Sequence, residues 1–198
     1  MKTHDWSNSD LILYEAANLA IVAFAEEHPN VEVCCFYFDC DDPEYGLLHI
    51  SIDSIQHNMQ SAKRLEQYAI ERRYRLKGED MWKGAKHGLV SPVLSPFNTN
   101  GGDFEFTCYR SVEFPAWREL AKSKDYPKSA KHEDNYLTSN ARLVMWRVVE
   151  RLVTESCFSP LVLASPFMIG YSMHDEEEAI LRIENWPRAQ QAAPSNGG

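Results

Sequence analysis

The chain has 198 residues, of which 44% are hydrophobic and 25% are charged, so it falls in the range of ordinary globular domains and can bury a sizeable core. Its 20 lysines and arginines against 29 aspartates and glutamates give a net charge of −9, which disfavours nucleic acid and anionic membranes as general partners and favours a basic one. No apolar run is long enough to span a membrane and no secretory signal opens the chain, so we expect a cytoplasmic protein.

The first part of the chain predicts a helix, a β-hairpin and a second helix. Apolar residues between 11 and 25 recur at near-helical spacing. Residues 31–40 are apolar on both faces of a predicted strand, which is typical of a central position in a sheet. A turn rich in Asp, Pro and Gly at 41–46 leads to an alternating strand at 47–53. Residues 57–77 then predict a helix with a basic outer face.

A segment rich in glycine and proline, residues 78–102, predicts a loop between the two halves of the chain. Alternation at 103–109 predicts a third strand, and a proline at the start of 115–121 fits a short helix. The apolar spacing of residues 135–157 predicts the longest helix of the second half.

Two further elements complete the predicted fold. Residues 161–171 predict a last strand, which Pro166 places at a sheet edge or a bulge, and residues 175–183 predict a short acidic helix. Together the elements predict a single α+β domain over residues 1–187, with a central antiparallel or mixed sheet of about four or more strands packed by helices. The composition of residues 188–198 predicts a disordered tail.

The cysteines and histidines do not form a recognisable metal motif. Cys34, Cys35, Cys40 and Cys108 lack zinc-knuckle spacing, and no two of the seven histidines have helical ligand spacing. Five cysteines are an odd number, so reduced thiols are expected. No glycine-rich phosphate-binding loop is present. We therefore expect no metal and no cofactor.

Catalytic residues have no clear pattern in the sequence. His49, Ser51 and Asp53 share one face of a predicted strand, but neighbours on that face lie about 7 Å apart and no nucleophile turn precedes them. An alternative function is a small hydrolase or nucleotide-processing enzyme whose site is assembled from distant residues. Its candidates are His49, Asp53, Tyr109 and Arg110.

The charges are unevenly distributed along the chain. Residues 63–86 hold eight basic and four acidic residues, a local charge of +4 that leaves −13 for the rest. An RNA-associated adaptor using this basic helix is a further alternative. Two acidic clusters are candidate partner-binding surfaces, although turn and helix-start chemistry alone also favours acids there. They are Asp39, Asp41, Asp42 and Glu44 at the hairpin, and Asp175, Glu176, Glu177 and Glu178 near the C-terminus.

Several short segments carry a resemblance to a known family. They are a strand ending in Phe36-Tyr37-Phe38-Asp39, then Asp42-Pro43-Glu44-Tyr45-Gly46, Phe104-Glu105-Phe106 before a helix with Trp117, and Asn185-Trp186-Pro187. Over most of residues 10–187 the chain resembles a bacterial family of uncharacterised domains found among immunity proteins of interbacterial toxin systems. The resemblance implies a cytoplasmic protein that neutralises a cognate toxin by stoichiometric association. It implies no catalytic residue.

Overall fold

A computed structural model describes residues 5–76, 97–98, 100–123, 136–173 and 179–184, and in the second helix it describes side chains only up to Leu65 and at Gln67. The helices are α1 (Trp6–Glu27), α2 (Ile55–Leu76), α3 (Pro115–Lys122) and α4 (Tyr136–Thr154), and short 3-10 helices span Pro43–Tyr45 and Gly101–Asp103. The strands are β1 (Glu32–Cys40), β2 (Leu47–Ser54), β3 (Phe106–Glu113), β4 (Val162–Met173) and β5 (Ala179–Glu184). None of the described helices is both long and apolar enough to cross a membrane.

The five strands form one mixed sheet in the order β3-β2-β1-β4-β5. β1 lies at its centre, antiparallel to β2 and parallel to β4. β3 and β5 join antiparallel at the two ends of the described sheet. The predicted α+β class and mixed central sheet are confirmed, as is the central position of residues 31–40.

The larger core lies between one face of the sheet and helices α1 and α4. β1 contributes Phe36 and Phe38, both fully buried with their rings in edge contact. Two ion-paired hydrogen bonds of 2.9 Å, from the Arg147 guanidinium to the Asp10 carboxylate, join the two helices. A helix with one apolar stripe has to bury it against another element, and here both helices bury theirs against the same sheet face.

A smaller core covers part of the opposite face, where α2 begins. It contains Cys34, Cys35, Tyr37 and Phe104 with part of β4. Adjacent residues of a regular strand face opposite ways, but the register shifts between Val33 and Cys35 in β1. This β-bulge places both side chains in one cluster, with their sulfur atoms 3.7 Å apart.

The third strand begins later than the sequence predicted, at Phe106. Residues 101–103 form a 3-10 helix instead, because the Asn100 side chain accepts a hydrogen bond from the Gly102 N–H and starts a turn. Phe104 then packs its ring on Tyr37 at 5.1 Å between centroids. The residues expected to begin a strand therefore close the smaller core.

The last part of the chain differs most from the prediction. β4 is an interior strand between β1 and β5, and Pro166 lies within the stretch where its register against β1 shifts, so the bulge and not the edge explains the proline. Residues 179–184 form a strand where the prediction has the last part of an acidic helix, because Ile180, Arg182 and Ile183 pair with residues of β4. Most of the predicted 78–102 loop and the whole predicted 188–198 tail lie outside the described residues.

Replacement of Phe36 by Ala should lower the free energy of unfolding by about 3 to 5 kcal/mol, because a fully buried ring would leave a cavity between the sheet and the helices. Chemical denaturation measures this. Leu19→Ala on the outer face of α1 is the control, since Leu19 is 69% exposed, and should change stability by less than about 0.5 kcal/mol. Equal effects of the two substitutions would place Phe36 outside the core.

Candidate functional site

The hairpin between β1 and β2 forms a rigid acidic turn, which we define as residues 41–46. Asp42 caps its 3-10 helix by accepting a hydrogen bond of 2.9 Å from the Glu44 N–H, and Pro43 occupies the first helical position. Gly46 has a φ of +61°, and a Cβ there would lie 2.4 Å from the Phe114 carbonyl oxygen. The Phe114 N–H donates to the Gly46 oxygen at 2.7 Å. Capping, proline and this anchor fix the turn in one conformation.

Tyr45 projects from the acidic turn and is 68% exposed. Its carbonyl oxygen accepts a hydrogen bond of 3.0 Å from Arg118 Nε on α3, so the residue is held although its ring is free of the core. A groove of about 470 Å³ lies beside the ring, lined by Glu44, Tyr45, Arg118, Ala121 and Lys122. The surface thus combines an exposed aromatic ring, a shallow groove and charges of both signs.

The predicted acidic residues of the hairpin differ in exposure. Asp41 is exposed, and Asp42 and Glu44 are half-buried. Both carboxylate oxygens of Asp39 are buried, and the carboxylate lies against Gly101, where an added Cβ would be 2.2 Å from Oδ1. Asp39 therefore contributes charge to this surface but does not offer its carboxylate to a partner. The second predicted cluster, Asp175, Glu176, Glu177 and Glu178, lies outside the described residues.

Burial and the acidic residues of this region raise the pKa of two nearby thiols, Cys40 and Cys108. Burial, followed by the charges of Asp42, Asp41 and Asp39, raises the pKa of Cys40 to about 12. Burial and then Asp39 and Asp41 also raise the pKa of the exposed Cys108. Both thiols are therefore poor nucleophiles at neutral pH.

A second polar cluster surrounds Asp53 at the other end of the hairpin, where β2 meets α2. The Asp53 side chain is fully buried, yet it accepts three hydrogen bonds. The donors are His57 Nδ1 at 2.8 Å, Asn58 Nδ2 at 2.8 Å and the Glu105 N–H at 3.0 Å. A buried carboxylate is tolerated when its oxygens are satisfied in this way.

Asn58 extends the Asp53 cluster to the segment before β3. Its Nδ2 donates to the Asn98 carbonyl oxygen at 2.7 Å, and its Oδ1 accepts from the Asn98 N–H at 2.9 Å. Asp53 and Asn58 thereby fasten this segment to the sheet. Cys35 lies 3.6 Å from Asn58 Nδ2, but its hydrogen bond with Cys34 and its burial raise the pKa of the thiol, so it stays protonated.

The structure does not assemble the catalytic candidates predicted from the sequence. His49 Nδ1 lies 2.9 Å from Ser111 Oγ, and Ser51 Oγ accepts from the Cys108 N–H at 3.0 Å, so neither pairs with Asp53. Tyr109 and Arg110 instead hydrogen-bond the Glu27 carboxylate at the end of α1, at 2.6 and 3.2 Å. Asp53 alone belongs to a constellation that could do chemistry.

His57 and Asn58 are the members of the Asp53 cluster that sequence reasoning missed. The available signal was the spacing Asp53-x-x-x-His57 across the predicted junction of a strand and a helix. Of the basic helix considered for RNA, Lys63 and Arg64 are exposed and the other basic side chains lie outside the described part. Within the described ranges, no group of three His, Cys, Asp or Glu side chains could hold a metal ion.

Comparisons of this chain with models of known families, with curated proteins and with solved structures give no match. The resemblance to toxin-immunity proteins therefore stays a prediction. The two polar regions, the acidic turn and the Asp53 cluster, are the basis for the functional argument.

Thiol titration tests the assignment of the cysteines, all five of which are free in the structure. With an aromatic disulfide reagent, the exposed Cys108 should be the fastest thiol of the native protein, the half-buried Cys157 should react more slowly, and Cys34, Cys35 and Cys40 should react only after unfolding. Because the pKa of Cys108 is raised, its reaction should accelerate as the pH rises above 8. Cys108→Ser should abolish the fast phase. Fewer than five free thiols in denaturant would contradict the assignment.

Asp53→Ala should lower the free energy of unfolding by about 3 to 5 kcal/mol, because it removes the acceptor of the buried Asn58 Nδ2 and of the part-buried Glu105 N–H. Asp41→Ala on the exposed turn is the matched control and should cost less than about 0.5 kcal/mol. Urea denaturation of both variants measures the difference. A cost for Asp53→Ala as small as that of the control would show that the cluster does not hold the fold together.

Proposed function

We propose that this protein is a cytoplasmic, immunity-type binding protein that neutralises a cognate toxin by stoichiometric association through the acidic turn. The observation that supports this most is Tyr45, an aromatic side chain 68% exposed at the tip of a fixed turn. Tyrosine is among the residues that contribute most to binding at protein interfaces. An exposed ring on a fixed backbone is a suitable anchor.

The rigidity of the turn favours tight association. Binding loses free energy when a flexible loop has to be ordered. Here the Asp42 cap, Pro43 and the Gly46–Phe114 hydrogen bond order the turn before any partner arrives. The partner therefore meets Tyr45 in a preorganised position.

The charge of the surface favours a partner with a cationic patch. Asp41, Asp42 and Glu44 lie next to Tyr45, within a chain of net charge −9. Exposed charges of one sign raise the rate at which an oppositely charged partner is encountered, and salt weakens the effect. Arg118 and Lys122 line the same groove, so an acidic group of the partner would fit there. A basic toxin enzyme matches the predominant charge.

Charge reversal of the turn tests the proposal with a partner purified from the native strain. The variant D41K/E44K keeps the Asp42 cap, so it should fold, and it should slow association about tenfold or more at low salt. The control E15K/E26K changes the net charge equally on the exposed face of α1 and should have a smaller effect. Stopped-flow or surface plasmon resonance measures both rates. Equal association rates for the two variants would exclude the acidic turn, and residues 175–178 would be tested in the same way.

Tyr45→Ala should act on dissociation instead. Loss of an anchor worth about 2 kcal/mol raises the dissociation rate about 30-fold, with little change in association. Tyr45→Phe keeps the ring and should retain most of the affinity. A Tyr45→Ala variant that binds as tightly as the wild type would show that the ring is not an anchor.

A further inference from the structure

The groove beside Tyr45 holds two positive charges within an otherwise acidic surface. Arg118 and Lys122 of α3 line it together with Ala121, and the acidic turn contributes Glu44 and Tyr45. The cavity has a volume of about 470 Å³, which is enough for a side chain of a partner. A basic protein is therefore attracted by the acidic turn but meets two cations in the groove.

Both cations remain available to a partner. Arg118 Nε donates to the Tyr45 carbonyl oxygen at 3.0 Å, which holds the guanidinium beside the ring. Its Nη2 lies 4.0 Å from a Glu113 carboxylate oxygen, and Lys122 Nζ lies 3.6 Å from one of Glu119. Both distances exceed that of a hydrogen bond, and these four side chains are 42% to 75% exposed. Such loose and exposed ion pairs are easily exchanged for another acceptor.

The stability of α3 does not explain why two cations lie side by side. Arg118 and Lys122 are four residues apart on this helix, a spacing at which side chains are neighbours and like charges repel. The helix dipole favours Lys122 in the last turn but not Arg118, which is closer to the helix start. Glu44 lines the same groove, yet it forms no ion pair with either cation in the described structure. An anion bound between the two cations would remove their repulsion.

We propose that this groove binds a carboxylate side chain of the partner, and that Arg118 and Lys122 thereby select one partner among basic proteins. The inference rests on the proposed function and adds the chemistry of the partner at this site. The partner carries an aspartate or glutamate within its cationic patch, opposite the groove. The neighbouring acidic residues favour this singly charged group over a doubly charged anion such as phosphate.

Each part of the groove has a role in this recognition. The free guanidinium nitrogens of Arg118 and the Nζ of Lys122 donate to the carboxylate, and its aliphatic stem packs against Ala121 and the Tyr45 ring. A basic protein that lacks the carboxylate would place its own cations against Arg118 and Lys122. Specificity between related partners commonly depends on such a repulsive contact.

Lys122→Glu tests the proposal with the partner purified from the native strain. The dissociation rate should rise about tenfold, because the partner's carboxylate would then face a glutamate. The association rate at low salt should rise slightly, because the surface exchanges a positive for a negative charge. Affinity should therefore fall. If the acidic surface acted by attraction alone, the same substitution would increase affinity, and that result would overturn the proposal.

Two further variants control this measurement. Lys63→Glu makes the same change of charge at an exposed position of α2, which begins at the opposite end of β2 from the acidic turn, and it should leave the dissociation rate unchanged. Lys122→Gln removes the charge without reversing it, so it should accelerate dissociation by a smaller factor. Lys122 is 66% exposed, so both of its variants should fold, which thermal unfolding checks.

Chemical modification of the partner tests the identity of the bound group. Amidation of the partner's exposed carboxylates with carbodiimide and glycinamide should accelerate its dissociation from the wild type about tenfold. The same treatment should not accelerate its dissociation from Lys122→Glu. Equal acceleration for both proteins would show that no carboxylate binds at Lys122.

The outcomes separate this inference from the proposed function. Slow association of D41K/E44K together with tighter binding by Lys122→Glu would refute the carboxylate site and leave the acidic turn as the binding surface. Equal association rates for D41K/E44K and E15K/E26K would refute the acidic turn, and the carboxylate site with it.

Discussion

The burial of β1 on both faces is the constraint on which the rest of the structure depends. Residues 33–38 are all buried, and β1 has hydrogen-bonded neighbours on both sides, β2 and β4. One face holds α1 and α4 through Phe36 and Phe38, and the other carries the smaller core with Tyr37 and Phe104. Because β1 is paired on both sides and packed on both faces, it holds the segments at its two ends in fixed positions. The acidic turn follows its last residue, and Asp53 is paired with Cys35 near its start.

The two candidate sites use charge in different physical regimes. At the acidic turn Asp41 is exposed and faces water, so its effect acts over distance, is screened by salt and contributes little to stability. The Asp53 carboxylate is withdrawn from water and is faced by three hydrogen-bond donors. The exposed charge of the acidic turn suits encounter with a partner. The buried charge of the Asp53 cluster suits orientation of one side chain, that of His57.

Retention of the Asp53 cluster itself calls for an explanation. A buried polar network contributes less stability than well-packed apolar residues of the same volume in many proteins, whereas removal of one member is costly. Part of the explanation is structural, because Asp53 and Asn58 fasten the segment before β3 by bonds to the main chain of Glu105 and Asn98. That structural role accounts for Asp53 and Asn58. It does not require the imidazole of His57, so it does not explain the histidine.

The sequence by itself determined the α+β class, the central strand, the hairpin with its acidic turn, and the four α-helices, because these depend on periodicity and turn chemistry within short segments. Tertiary structure decided the rest. The β-bulge that turns Cys34 and Cys35 to one side and the strand at 179–184 depend on hydrogen bonds to distant strands, which local propensity does not contain. The Asp53 cluster depends in the same way on Asn98 and Glu105, some 40 and 52 residues from their partners, meeting a strand end and a helix start. Charge along the chain is therefore readable from sequence, whereas burial and pairing of that charge are properties of the fold.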